Sequence, residues 1–184
     1  MAEIKKAPRG DSIKRTDKDT EKLAFQRLKD EYLKENIRKY PSIPPQCRCI
    51  PNFSDKNSNE LTKSILAWFK LKGHQCERVN VFGRAIDRRR IVHDCIGRPR
   101  QIGSLEWIPS GSQRGSADIH AVVNSIAIKV EVKAGKDRQS EHQKAYEAQV
   151  IAAGGKYWLV RSFSQFLDLY DEFVTNNRSE NGNT

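Results

Sequence analysis

The chain has 184 residues and carries 33 Lys and Arg against 23 Asp and Glu, a net charge of +10. That length suits one domain of ordinary size with an extension. The basic excess suits a polyanionic partner, nucleic acid being the commonest, and no apolar run is long enough for a membrane span.

The start, Met1 to Lys6, lacks the apolar stretch of a secretory signal. Four cysteines and one methionine do not form a disulfide framework in a chain this size, so a reducing cytoplasm is the expected compartment. Residues 1–18 are polar and basic and are expected to be disordered. A helix follows from Asp19 or Thr20 to about Arg38, with Thr20 as a cap and Leu23, Leu28, Tyr32 and Ile37 as an imperfect apolar stripe. It is expected to pack at the periphery, with dimerisation or a place along DNA phosphates as the alternatives. Pro41, Pro44 and Pro45 stop it. Residues 41–58 then read as a linker, and a domain of residues 59–174 begins after it.

A second helix is expected from Asn59 to Lys72, with Leu61, Ile65, Trp68 and Phe69 inward and Gly73 ending it. Gln75 to Phe82 alternates as a strand, with Arg78 and Asn80 on one side where they suit a phosphate. Arg88, Arg89 and Arg90 belong to a basic segment that is either a DNA-contacting loop or hairpin or a solvated turn. Residues 83–114 are the least patterned part, with a short strand at Leu105 to Ile108. The loop Pro109 to Gly115 bears Arg114 and lacks the Walker spacing, which excludes a nucleotide-binding P-loop. The pairs Cys47/Cys49, His74/Cys76 and His93/Cys95 are spaced too closely for a usual zinc ribbon or finger. Free thiols are expected there, with a structural zinc site as the alternative.

Residues 115–133 organise the rest. Two β-branched runs flank Asn124-Ser125, a two-residue turn of plausible type. With that turn, position 123 pairs with 126, and Asp118 falls directly across from Glu131. Ile119, Ala121, Val123, Ile126, Ile128, Val130 and Val132 share a core face. Asp118, His120, Lys129, Glu131 and Lys133 share the other. Opposed like charges repel, and a hard divalent cation such as Mg²⁺, which is held by one or two carboxylates with water and phosphate oxygens, would relieve the conflict. The alternative is a solvated face with Asp118–Lys133 or Glu131–Lys129 pairs. Lys136 and Arg138 then lie in a basic loop. A third helix starts at Ser140, where Ser140 and Gln143 make a capping box, with Ala145, Ala148 and Ala152 toward the sheet and Gly154-Gly155 ending it. Lys156 to Arg161 is a strand, parallel to its partner by the crossover rule. Ser162 and Gln165 cap a last helix with Phe166, Leu169 and Phe173 inward, and residues 175–184 are a polar tail.

This arrangement resembles the PD-(D/E)XK nucleases, and within them the VRR-NUC branch of phage-type nucleases. The residues carrying the likeness are Arg78-Val79-Asn80, Gly115-Ser116-Ala117-Asp118, Glu131-Val132-Lys133, Gln143, Gly154-Gly155 and Val160-Arg161-Ser162, in that order. The resemblance implies an α/β restriction-endonuclease-like fold, a mixed sheet flanked by helices, here with an N-terminal helical extension. It implies Mg²⁺ or Mn²⁺ held by Asp118, Glu131 and the Val132 carbonyl, with Lys133 assisting catalysis and Gln143 at the active site. Glu60 matches by position a metal-shell acid of the first core helix, and equally a helix-start residue after Asn57. The implied reaction is hydrolysis of DNA phosphodiesters by a water made more acidic by the cation, on a junction, flap or plain duplex. RNA is the other substrate this reading admits. Arg78, Asn80, Arg88, Arg89, Arg90, Arg114, Ser116, Lys136 and Arg161 are the expected nucleic-acid contacts. A homodimer fits, because one compact site cuts one strand at a time, and the phage-type likeness places the protein in the cytoplasm of a bacterial or phage-infected cell. The rival readings are a catalytically silent nucleic-acid-binding module on the same fold and a small basic interaction protein that works through its N-terminal helix.

Overall fold

The central hairpin forms as its sequence implies. In the computed structural model, which describes residues 17–80, 83–135 and 137–181, Asn124 and Ser125 have φ of 50° and 65°. Two consecutive left-handed residues are what a type I′ turn needs to match the twist of its strands. The turn joins β6 (Ile119–Val123) to β7 (Ile126–Val132), with Val123 opposite Ile126 and Ile119 opposite Val130. One step past that last pair, Asp118 lies across from Glu131.

Two earlier elements flank this hairpin: α2 (Ser58–Leu71) and the strand β1 (Gln75–Arg78). β1 pairs antiparallel with β6. After β7 come α3 (Glu141–Ala152), β8 (Lys156–Val160) and α4 (Phe163–Asn181). β8 lies parallel to β7, so the four-stranded sheet, ordered β1-β6-β7-β8, is mixed. One face of the sheet is apolar. Ile119, Ala121, Val123, Ile128, Val130, Val132, Trp158 and Val160 meet Leu61, Ile65, Trp68 and Phe69 of α2 and Phe163, Phe166, Leu167, Tyr170 and Phe173 of α4 in one cluster. The other face, with Asp118, His120, Lys129 and Glu131, is covered by α3 through its buried Tyr146. The result is helices on both sides of a mixed sheet. Among the described residues no helix is long and apolar enough to cross a membrane.

The helix ends follow the expected chemistry. Asn57 accepts from Glu60 N–H at the start of α2, and Gly73, at φ 76°, lies just past its end. Ser140 and Gln143 form the reciprocal capping box of α3. At α4, Ser162 Oγ accepts from Gln165 N–H and the Gln165 side chain accepts from Arg161 N–H, while Asp55, from the connection just before α2, accepts from Phe163 N–H at 3.0 Å.

Several expectations are corrected. The first helix, α1 (Asp17–Lys39), buries Ala24 and Leu28, whereas Leu23 and Ile37 of the expected stripe are 50% and 48% exposed. The buried line steps by four through Ala24, Leu28 and the half-buried Tyr32, and docks on α2 and α4. Phe25 stacks on Phe163 with centroids 5.0 Å apart. Arg27 and Lys72 cover the Trp68 ring, while Arg27 pairs with Asp171 and Lys72 with Glu31. Residues 41–58 hold one short 3-10 turn, Pro45–Cys47, and are pinned by Arg48, whose guanidinium donates to the carbonyls of Asn36, Tyr40 and Ile43. β1 stops at Arg78, four residues before the expected end, although Val79 N–H still donates to Asp118 O. On α3, Ala145, Ala148 and Ala152 face solvent. The capping box fixes the phase so that Gln143, Tyr146 and Val150 face the sheet instead. α4 continues to Asn181, so residues 175–181 are helical rather than a tail. Residues 1–16 and 182–184 of the expected disordered ends lie outside the described residues.

The segment 83–114 is the largest departure. It forms β2 (Arg84–Asp87), β3 (Arg90–His93), β4 (Pro99–Ile102) and β5 (Leu105–Ile108). β2 pairs with β5 and β3 with β4, both antiparallel. Asp87 opposes Leu105 and Arg90 opposes Ile102, with Arg88 N–H donating to Ser104 O between them. Both strands spend the same number of residues crossing the interruption, so the two ladders are one nested hairpin. Gly103, at φ 84°, bends it; a Cβ there would lie 2.2 Å from the Arg88 carbonyl. None of its residues joins the core cluster.

Candidate active site

Asp118 sits where β6 begins. Its backbone carbonyl is held by Val79 N–H at 2.8 Å, and its Oδ2 accepts from Val132 N–H at 2.9 Å. That second bond stands where a ladder bond would have continued, since the β6–β7 pairing ends at Ile119–Val130. The strand therefore hands its next backbone donor to a carboxylate and fixes that carboxylate beside Glu131.

Glu131 is buried, at 3% exposure. Its Oε1 accepts from Gln143 Nε2 and lies 3.1 Å from Lys133 Nζ, and Tyr157 O–H reaches Oε2 at 3.5 Å. Burial first, and the Asp118 charge second, push its carboxyl up to about 7 against the opposing pull of Lys133 and Tyr157. Loss of hydration and a neighbouring like charge both disfavour the ionised acid. Tyr157 responds in kind: burial, then the Glu131 charge, raise its hydroxyl well above the ordinary value.

Lys133 is 5% exposed. Its ammonium donates to Gln143 Oε1 at 3.0 Å and lies 3.4 Å from Asp137 Oδ2. Gln143 thus does both things its position allows. Its amide oxygen accepts from Ser140 N–H, completing the cap, and from Lys133; its amide nitrogen donates to Glu131. The start of α3 is bolted onto β7. Gly115 makes that approach possible: its φ is 83°, and a Cβ would lie 2.4 Å from His142 O and 2.9 Å from Gln143 N.

Beside this group runs a second polar row. Glu77 opposes His120, and His120 opposes Lys129. His120 Nε2 contacts Ser116 Oγ at 3.1 Å and Tyr146 O–H at 3.4 Å. Burial and then Lys129 lower the imidazole pKa, with Glu77 opposing, so the ring is neutral at physiological pH.

The other expected site residues are placed variously. Ser116 is buried against His120. Arg161 donates to the carbonyls of Gly135 and Asp137 at 2.8 Å each, holding the loop that bears Asp137. Lys136 lies outside the described residues. Arg78 pairs with Ile119 and so falls on the α2 side of the sheet, where it donates to Asn59 Oδ1 at 2.7 Å. The Asn80 carbonyl accepts from Ser110 and Ser112 hydroxyls. Arg88 pairs with Glu106 and Arg89 with Asp87 on the hairpin arm, Arg90 is exposed there, and Arg114 is exposed in the following loop. Glu60 receives the Ser54 hydroxyl rather than joining the Asp118–Glu131 pair. Tyr157 and Asp137 were not anticipated. Tyr157 was findable in principle, because Trp158 and Val160 take the core side of β8 and leave Tyr157 facing α3.

The donor chemistry suits a hard cation. Asp118 and Glu131 offer oxygen ligands at adjoining positions, and Val132, just past the ladder's end, offers the carbonyl between them. Among the described residues no cluster of three or more His, Cys, Asp or Glu side chains is formed. Two carboxylates leave coordination positions for water and a phosphate, the pattern Mg²⁺ favours. No protein-family model matches the chain, and no curated protein matches it.

Proposed function

We propose that this protein is a divalent-cation-dependent nuclease that hydrolyses phosphodiester bonds in DNA, built on a restriction-endonuclease-like fold of the PD-(D/E)XK type. The observation that carries the reading is the opposition of Asp118 and Glu131 across β6–β7, with Glu131 buried, Lys133 3.1 Å away and Gln143 bridging the two. Folding alone gains nothing from a buried carboxylate with a raised pKa set beside another acid. A functional site does. The mixed sheet, with its antiparallel hairpin followed by a helical crossover to a parallel strand, supports the fold assignment.

In this reading Asp118, Glu131 and the Val132 carbonyl would hold Mg²⁺ or Mn²⁺, which when bound would supply charge neutralisation at a phosphate and a more acidic water. The protein's own part is positional and electrostatic. Val132 N–H aims the Asp118 carboxylate. Gln143 orients Glu131 and Lys133 at once. The Lys133 ammonium, in a nearly dry setting, faces the charge that develops on the phosphate, where a fixed donor is worth most. Arg161 keeps Asp137 close to Lys133 by holding the intervening loop. Glu131 works as a ligand only when ionised, so activity should rise with pH through the region near 7 in which its carboxyl loses its proton.

The test is cleavage of labelled linear, flapped and four-way DNA with Mg²⁺, Mn²⁺ or EDTA, comparing the intact chain with Asp118→Ala and Glu131→Ala. Metal-dependent cutting lost in both variants is the expected result. Binding without cutting in all three proteins would contradict it and favour a silent binding module.

A further inference from the structure

The nested hairpin of residues 84–108 has no structural role in the core. Ile91, Leu105 and Trp107 are 69%, 58% and 64% exposed. At about 3.4 Å per residue its strands extend roughly 30 Å. Its root is at the carboxylate end of the sheet: Val79 holds Asp118, and the next residue, Asn80, receives Ser110 and Ser112 from the other side of the arm.

Its charges are sorted. Opposed residues share a face, and alternate residues take opposite faces. In the outer ladder Arg84, Ile86, Glu106 and Ile108 share one face. In the inner ladder Arg90, Val92, Arg100 and Ile102 do. The hydrogen-bond phase is kept through the bend and to the tip, where Asp94 N–H donates to Arg98 O. Arg88 and Arg89 are paired with acids of the arm. The guanidiniums of Arg84, Arg90, Arg98 and Arg100 form no ion pair among the described residues, although the Arg98 backbone N–H donates to the Asp94 carboxylate at 2.8 Å. Elsewhere, on α1, Arg27 and Arg38 are both paired with carboxylates.

We propose that this arm is a duplex-DNA-holding element, a two-stranded ribbon that lies along the major groove with Arg84, Arg90, Arg98 and Arg100 on the flanking phosphates. The inference rests on the nucleic-acid half of the nuclease reading and not on cleavage. The major groove of B-form DNA is about 12 Å wide and admits a two-stranded ribbon. The deep, narrow major groove of an RNA duplex does not. Unpaired guanidiniums on one side of an exposed ribbon supply the phosphate contacts that position a protein on a duplex. Because the arm springs from the strand end that carries Asp118, a duplex held there extends from the candidate active site.

The test is equilibrium binding of the full chain, in EDTA, to a fluorescent duplex of about thirty base pairs over a range of salt. Each phosphate contact contributes about 0.9 to the slope of log affinity against log salt. Arg90→Ala/Arg100→Ala should lower that slope by about 2 and weaken binding at least tenfold at moderate salt. Lys18→Ala/Lys22→Ala, the same loss of charge placed on α1, should leave the slope unchanged. An RNA duplex of the same sequence should bind more weakly and ignore the arm substitutions. Equal effects of the two double variants, or equal arm dependence on RNA, would overturn the proposal. So would a dimer that Leu105→Asp dissociates while the DNA salt slope stays fixed, which would assign the arm to a second copy of the chain. Because binding is read in EDTA, arm-dependent binding without cleavage would refute only the nuclease reading, and cleavage with arm-independent binding would refute only this one.

Discussion

Glu131 adds its own pH dependence to stability. Its carboxyl titrates near 4.5 when unfolded and is pushed up to about 7 when folded, so the folded state binds the proton more tightly. The contribution of Glu131 to stability is then most favourable below the unfolded value, falls as pH rises from 4.5 toward 7, and is fully unfavourable above that. At about 1.4 kcal/mol per unit the cost is roughly 3 kcal/mol. Urea unfolding in EDTA at several pH values should show this decline in the native chain, and Glu131→Gln should flatten it. An unchanged pH profile in the variant would mean that Glu131 does not carry the titration. Gly115→Ala is the other decisive residue. It meets the α3 backbone and forces a left-handed alanine, so it should destabilise by roughly 1–3 kcal/mol and reduce cleavage by displacing Gln143, as thermal melts and an activity assay would show. The spacing of Asp118 and Glu131 was legible because strand pairing is arithmetic once a turn is fixed. The Tyr157 and Asp137 contacts were not, because they depend on how β8 and the loop after β7 pack.

At the scale of elements, the capping box and the arm make separable predictions. Ser140→Ala removes only the cap hydroxyl and should cost about 1 kcal/mol in denaturant midpoint, with metal-dependent cleavage retained at permissive temperature. Gln143→Ala removes the cap and the contacts to both Glu131 and Lys133, and on the nuclease proposal should lose cleavage as well. The arm can be shortened cleanly, since Asp87 and Leu105 are register partners. Replacing residues 89–103 with Asn-Gly, a favourable hairpin turn, closed by the hydrogen-bonded pair Arg88 and Ser104, should leave the melting temperature nearly unchanged while DNA affinity falls; a large drop in melting temperature would show the arm to be structural. Sequence patterning identified the helices and core strands here because caps and alternation are local. It gave the basic segment only as a loop, hairpin or solvated turn, without bounds for β2, β3 and β4, because an exposed ribbon buries neither face and no alternation of apolar and polar residues marks it. The α3 phase was misread for a related reason: alanines are small on either face, and the capping contact, not the alanine stripe, fixes which side meets the sheet.

For the whole molecule, α1 belongs to the fold. Leu28 is fully buried in the same cluster as Trp68 and Phe163, so Leu28→Ala should cost about 2–5 kcal/mol, while Leu23→Ala should change stability by under about 0.5 kcal/mol. Chemical denaturation of the two variants distinguishes a docked helix from an appended one. Deleting residues 1–40 would therefore test stability rather than separate functions. The apolar stripe of α1 could not be phased from sequence, because charges of both signs surround it and Leu23 and Leu28 are equally apolar; the aromatic surface of α2 and α4 selects between them.

The proposed nuclease requires Asp118 and Glu131 to hold a divalent cation together. The most direct measurement is a Mn²⁺ titration, followed by electron paramagnetic resonance, of the native chain, Asp118→Asn and Glu131→Gln at about pH 8 and again at about pH 6. One site in the native chain, lost in both variants and weakened at the lower pH as Glu131 takes up its proton, is the predicted result. Equal Mn²⁺ uptake by all three proteins, or uptake by none, would contradict the account.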